Sequence, residues 1–109
     1  MTDRIVKQAS EVKLIVFACE AGAGSSLMGA NQLKKLAKKA KLDATVMHAP
    51  VQQIPDEVDV VVTHQSLAAQ ARTKVPDAAI VTYMLFLNDP NVKGLVEKLK
   101  NGDPIESAV

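Results

Sequence analysis

The chain has 109 residues and a formal net charge of +1, which suits one domain with one core and gives no basis for nucleic acid or an anionic membrane as its main partner. Hydrophobic residues make up 48% of it but aromatics only 3%, so the core has to be built from Val, Leu, Ile and Ala, as in parallel α/β sheets. A single cysteine excludes an internal disulfide and a cysteine-based zinc site, and it suits a reducing cytoplasm.

Residues 1–11 are polar and read as a loose lead-in or a short helical arm. No apolar stretch follows Met1–Arg4, so no signal peptide is expected, and no apolar run reaches the roughly 20 residues needed to cross a bilayer. Residues 12–18 (Val-Lys-Leu-Ile-Val-Phe-Ala) predict a fully buried first strand. From Ser26 to Lys41, Leu27, Ala30, Leu33, Ala37 and Ala40 recur with helical spacing, and the lysines at 34, 35, 38, 39 and 41 fall on other faces as a solvated surface. Ser25 or Ser26 fits the N-cap of that helix. Residues 43–48 predict a second strand, which His48 ends. Ala49–Glu57 predicts a loop with room for one helical turn between its prolines. Val58–Thr63 is the clearest strand, the third. A helix over Ser66–Lys74 turns Leu67, Ala68 and Ala71 inward and stops before Pro76. Ala79–Thr82 predicts a short fourth strand. Val92, Leu95, Val96 and Leu99 mark a last helix, begun near Asp89–Pro90 and stopped at Asn101–Gly102. The division expected is a lead-in over 1–11, one domain over 12–102 and a frayed tail over 103–109.

Strands alternating with helices predict an α/β fold of Rossmann-like type. A single open four-stranded parallel sheet takes the order 2-1-3-4, with helices on both faces. That order sets a topological switch point at the carboxyl end of the first strand, where ligands of open α/β sheets collect. Cys19 stands there, and Thr63 and His64, at the end of the third strand, are expected as its neighbours.

Cys19 opens the loop Glu20–Ala21–Gly22–Ala23–Gly24–Ser25–Ser26, which runs into the first helix. A thiol at such a corner faces unpaired backbone N–H groups and the positive end of a helix dipole, both of which favour thiolate and can hold an oxyanion. The loop fails as a Walker P-loop because no Lys-Ser/Thr follows its last glycine, and it fails as a dinucleotide fingerprint because Leu27 stands at the third glycine. It lacks the acidic pair of a receiver domain. A small tyrosine phosphatase opens with a similar cysteine loop but closes it with an arginine that stabilises the hydrolytic transition state, and Ser25 and Ser26 stand in that place. A cysteine that accepts a phosphoryl group without that arginine holds it and passes it on. Amides and serine hydroxyls cradle the phosphate without activating water, and Gly22 and Gly24 let the backbone turn its N–H groups inward. A phosphatase-like hydrolase and an anion- or nucleotide-binding module with an inert Cys19 stand as the alternatives.

The run Lys13–Ala30, with its Cys-x-x-Gly-x-Gly-Ser-Ser-x-Met-Gly core, resembles the phosphocysteine loop of enzyme IIB components of the bacterial phosphoenolpyruvate-dependent sugar phosphotransferase system, and the mannitol-type IIB domain above all. Ile54–His64 supports the resemblance, which covers residues 12–100. Glu20 and Gln65 depart from it, standing where the family often has an Asp and commonly a basic residue. The resemblance implies that a phosphohistidine on an enzyme IIA partner donates its phosphoryl group to Cys19, which then donates to a sugar or polyol held by the membrane-embedded IIC component. It implies a cytoplasmic protein that meets the inner face of the membrane through IIC. Transfer is expected to be in-line, with no metal and no cofactor. The amides from Glu20 to Ser26 and the hydroxyls of Ser25 and Ser26 are expected to bind the equatorial oxygens, with Thr63 and His64 as possible auxiliaries.

Overall fold

The structure is a computed structural model that describes residues 6–19, 25–42, 44–83 and 90–107; for Cys19 and residues 25–30 it describes the backbone alone. Its elements are β1 (Val6–Lys7), a 3-10 turn at Ala9–Glu11, β2 (Leu14–Cys19), α1 (Ser25–Lys39), β3 (Thr45–Pro50), β4 (Val60–His64), α2 (Ala68–Lys74), β5 (Ala79–Tyr83), α3 (Pro90–Asn101) and β6 (Ile105–Glu106). Four strands form a parallel sheet in the order β3-β2-β4-β5. Counted without the two-residue β1, this is the expected 2-1-3-4.

The sheet is parallel because its strands are apolar on both sides. Ile15, Phe17, Val60 and Val62 enter one core with Leu33 and Ala37 of α1 and Val92, Leu95 and Val96 of α3. Val16, Ala18, Val61 and Ile80 enter a second core with Leu67, Ala68 and Ala71 around α2. Successive strand residues point to opposite faces, so a run with no polar break has to be covered twice. The chain leaves β2 for α1 on one face and leaves β4 for α2 on the other. The switch point is therefore the crevice between the carboxyl ends of β2 and β4.

The amino ends of the same strands are clamped by Asp59. One carboxylate oxygen accepts from the backbone N–H of Lys13 at 2.7 Å and of Leu14 at 3.0 Å, while the Asp59 N–H donates to the Leu14 carbonyl at 2.9 Å. This locks the register in which Ile15 faces Val60 and Ala18 faces Thr63.

Helix ends differ from expectation by a residue or two. α1 stops at Lys39 rather than Lys41, because Lys41 takes a positive φ of 59°. The Lys41 N–H then donates to the Lys38 carbonyl and the Leu42 N–H to the Ala37 carbonyl, the paired bonds of a Schellman ending. Gly102, with φ 81°, closes α3 in the same way, its N–H donating to Leu99 and that of Asp103 to Lys98. The helical turn expected between the prolines is a 3-10 turn at Val51–Gln53. A second one at Gln65–Leu67 leads into α2, which the pattern had begun at Ser66. β3 runs on to Pro50, so His48 lies exposed inside it rather than at its end.

The frayed tail is a correction over residues 105–107. β6 pairs antiparallel with β1, Val6 opposite Glu106 and Lys7 opposite Ile105. Ile105 is buried in the α1–α3 core, and the buried hydroxyl of Ser107 accepts from the Ile80 N–H at 2.9 Å. The tail thereby occupies part of the free edge of β5, which would otherwise present unpaired backbone groups.

Candidate functional site

Cys19 is the last residue of β2, registered with Pro50 at the end of β3. Glu20, Ala21, Gly22, Ala23 and Gly24, expected to cradle an anion, lie outside the described residues, as do the side chains of Cys19, Ser25 and Ser26. Ser25 and Ser26 are the first two residues of α1, so both lie inside the N-cap position expected of one of them. The first turn of any α-helix carries N–H groups without intrahelical partners and the positive end of the dipole. In α1 no acidic residue stands in that turn, and Lys38 and Lys39 stand in the last one. The chain thus places a cysteine, a short connection and an electropositive helix start in sequence at the switch crevice.

Thr63 and His64 lie where the pattern put them. Thr63 is fully buried and directly opposite Ala18, and its hydroxyl donates to the Ala18 carbonyl at 3.1 Å. That proton is therefore spent on the backbone next to Cys19, which makes Thr63 a residue that positions the end of β2. His64 is the exposed last residue of β4. Its Nδ1 accepts from the Ser66 N–H at 3.1 Å and lies 2.8 Å from the Ser66 hydroxyl.

Tyr83, Phe17 and Ser66 were not singled out in the sequence. Tyr83 is the last residue of β5, registered with His64, and is buried. Its ring stacks on Phe17 with centroids 5.1 Å apart and meets the His64 ring edge-on at 5.6 Å and 87°. The signal for Tyr83 was its place one residue past an apolar strand run. Nothing in a linear pattern marks three rings from three strands as neighbours. Among the described residues no group of three or more His, Cys, Asp or Glu gathers as a metal-ligand set. No described helix is long and apolar enough to cross a membrane.

Fold and site together define an open α/β domain with a cysteine at its switch point and a helix that starts six residues further on. Residues 14–98 match the family described as PTS system, Lactose/Cellobiose specific IIB subunit, and the chain belongs to that family. It is 43% identical over 101 residues to the PTS system mannitol-specific EIICB component of Halalkalibacterium halodurans, an alignment covering 93% of this chain and 22% of that protein. It is 44% identical over 89 residues to the protein of the same name from Bacillus subtilis, covering 82% of this chain and 19% of that one. The protein of that name from Geobacillus stearothermophilus is 44% identical over 91 residues, covering 84% and 19%. The chain spans about a fifth of the length of these curated relatives.

Proposed function

We propose that this chain is the IIB phosphocarrier of a mannitol-type phosphotransferase system. In the first step the Cys19 sulfur attacks the phosphorus of a phosphohistidine on an enzyme IIA partner. An S–P bond forms, the N–P bond breaks, and the imidazole leaves with the bonding pair and takes up a proton. In the second step a hydroxyl of the polyol, held by the membrane IIC component, attacks the same phosphorus. The S–P bond breaks, the thiolate is restored and the hydroxyl proton passes to a base on the IIC side. The domain works at the inner face of the membrane, where IIC presents the polyol.

The observation that carries this reading is the position of Cys19 at the end of β2, followed by the first turn of α1. A phosphoryl group brings a charge of about −1.5 to −2 and only acceptor oxygens, so it calls for donors. The amides of residues 20–26 and the hydroxyls of Ser25 and Ser26 supply them. The loop has no arginine to drive hydrolysis, so the phosphocysteine persists until the polyol arrives. Mannitol as the acceptor is supported by the names of the relatives.

Mass spectrometry after incubation with a phosphorylated mannitol-type IIA protein tests the reading. One added phosphoryl group on the Cys19 peptide is expected, with none on the Cys19→Ser variant, and turnover of a chromogenic aryl phosphate should be absent. An unmodified Cys19, or steady hydrolysis of the aryl phosphate, overturns it.

A further inference from the structure

We infer that His64 is held as an Nε2–H donor toward the phosphoryl group carried at Cys19, with Ser66 and Tyr83 as its positioning residues; this rests on the phosphocarrier reading above. The local turn fixes the tautomer. A backbone N–H can only donate, so the nitrogen that accepts from the Ser66 N–H at 3.1 Å carries a lone pair. That nitrogen is Nδ1, and the proton of the neutral ring is therefore on Nε2. The Ser66 hydroxyl lies 2.8 Å from the same Nδ1, a contact whose direction follows from the tautomer that the Ser66 N–H selects.

The ring plane is set from a second side. Tyr83 meets it edge-on at 5.6 Å and is itself fixed by stacking on Phe17 and by burial. One local turn selects the protonated nitrogen, and one long-range contact selects the orientation.

Location supplies the third observation. Ala18 and Thr63 are register partners in parallel strands, and the next residue along each strand is Cys19 and His64. Neighbouring strands lie about 5 Å apart, so the two main chains end side by side. Tyr83 and Phe17 share a core with Leu33 of α1, so the His64 ring stands on the sheet face that α1 covers.

This arrangement suits hydrogen bonding to an anion and not nucleophilic attack. The one ring lone pair is engaged by Ser66, and the other nitrogen bears a proton. A neutral Nε2–H supplies a donor without requiring the imidazolium.

The test combines rates with a direct readout of the tautomer. Removing one donor to a developing oxyanion slows a reaction about 100- to 1,000-fold in a sheltered site, and for an exposed ring a smaller loss of roughly 10- to 100-fold is expected. His64→Ala should slow phosphorylation of Cys19 by phosphorylated IIA by that factor. His64→Gln, whose amide N–H reaches to the Nε2 position, should restore most of the rate, and His64→Asn should not. Long-range proton–nitrogen NMR of the wild-type chain should find the neutral His64 ring protonated at Nε2. A neutral ring protonated at Nδ1, or a wild-type rate in His64→Ala, overturns this inference while leaving the phosphocarrier reading intact. A wild-type chain that never acquires a phosphoryl group overturns both.

Discussion

The Thr63 hydroxyl donates to the Ala18 carbonyl at 3.1 Å, joining β4 to β2 one residue before Cys19 and across the crevice where the fold reverses direction. Thr63→Val keeps the shape and removes the bond. A neutral hydrogen bond of this kind contributes about 0.5–1.5 kcal/mol, and urea unfolding should register that loss. Because the bond holds the strand end that carries the cysteine, transfer from phosphorylated IIA should also slow in the folded variant. Stability and rate both equal to wild type would deny Thr63 this role.

Asp59 does the corresponding work at the opposite end of the sheet. Its carboxylate takes two backbone N–H groups from the start of β2, and charge-assisted bonds are the stronger kind. Asp59→Ala should destabilise the domain by about 2–3 kcal/mol, discounted from two full bonds because water reaches the Lys13 amide. The folded fraction should accept phosphoryl groups at the wild-type rate, since Asp59 lies at the strand ends remote from Cys19. Chemical denaturation paired with a transfer assay checks both halves.

Ser107 replaces a strand partner for Ile80. Both residues are buried and the hydroxyl is 2.9 Å from the amide nitrogen, so Ser107→Ala leaves an N–H that neither protein nor water satisfies. A cost of about 1–3 kcal/mol is expected. Amide exchange at Ile80 should accelerate more than exchange at Val61 or Val62 in the sheet interior. Unchanged protection at Ile80 would show that the tail does not cover this edge in solution.

Lys41 and Gly102 occupy equivalent positions after α1 and α3, both with positive φ, but only one of them is a glycine. Side chains pay about 1–2 kcal/mol for that conformation, and glycine returns part of the gain through the freedom of its unfolded chain. Lys41→Gly should therefore stabilise the domain by about 0.5–1 kcal/mol. Gly102→Ala should destabilise it by about 1 kcal/mol, through backbone strain alone, since an added Cβ there meets no atom within 4 Å. Thermal unfolding should move in opposite directions for the two variants.

The parallel sheet, its strand order and the placing of Cys19, Thr63 and His64 at one edge were legible in the chain. Unbroken runs of Val, Ile and Leu can only be strands covered on both faces, and helices between such strands leave few ways to connect them. The stop at Gly102 was legible too, because glycine marks the left-handed position after a helix, whereas the earlier stop at Lys41 carried no such mark. The β1–β6 pairing was not legible: two residues at each end of the chain are too few to make a pattern, and their partners lie about a hundred positions apart. Nor was the state of His64. Its Nδ1 accepts from the Ser66 amide in the local turn, and its ring meets that of Tyr83 from a neighbouring strand. The ends of the unbroken apolar runs determined which residues reach the switch point, because a strand covered on both faces stops being apolar where it leaves the sheet. Hydrogen-bond direction and ring contact between residues distant in sequence were decided only by the folded structure, because those depend on atoms brought together after the strands have paired.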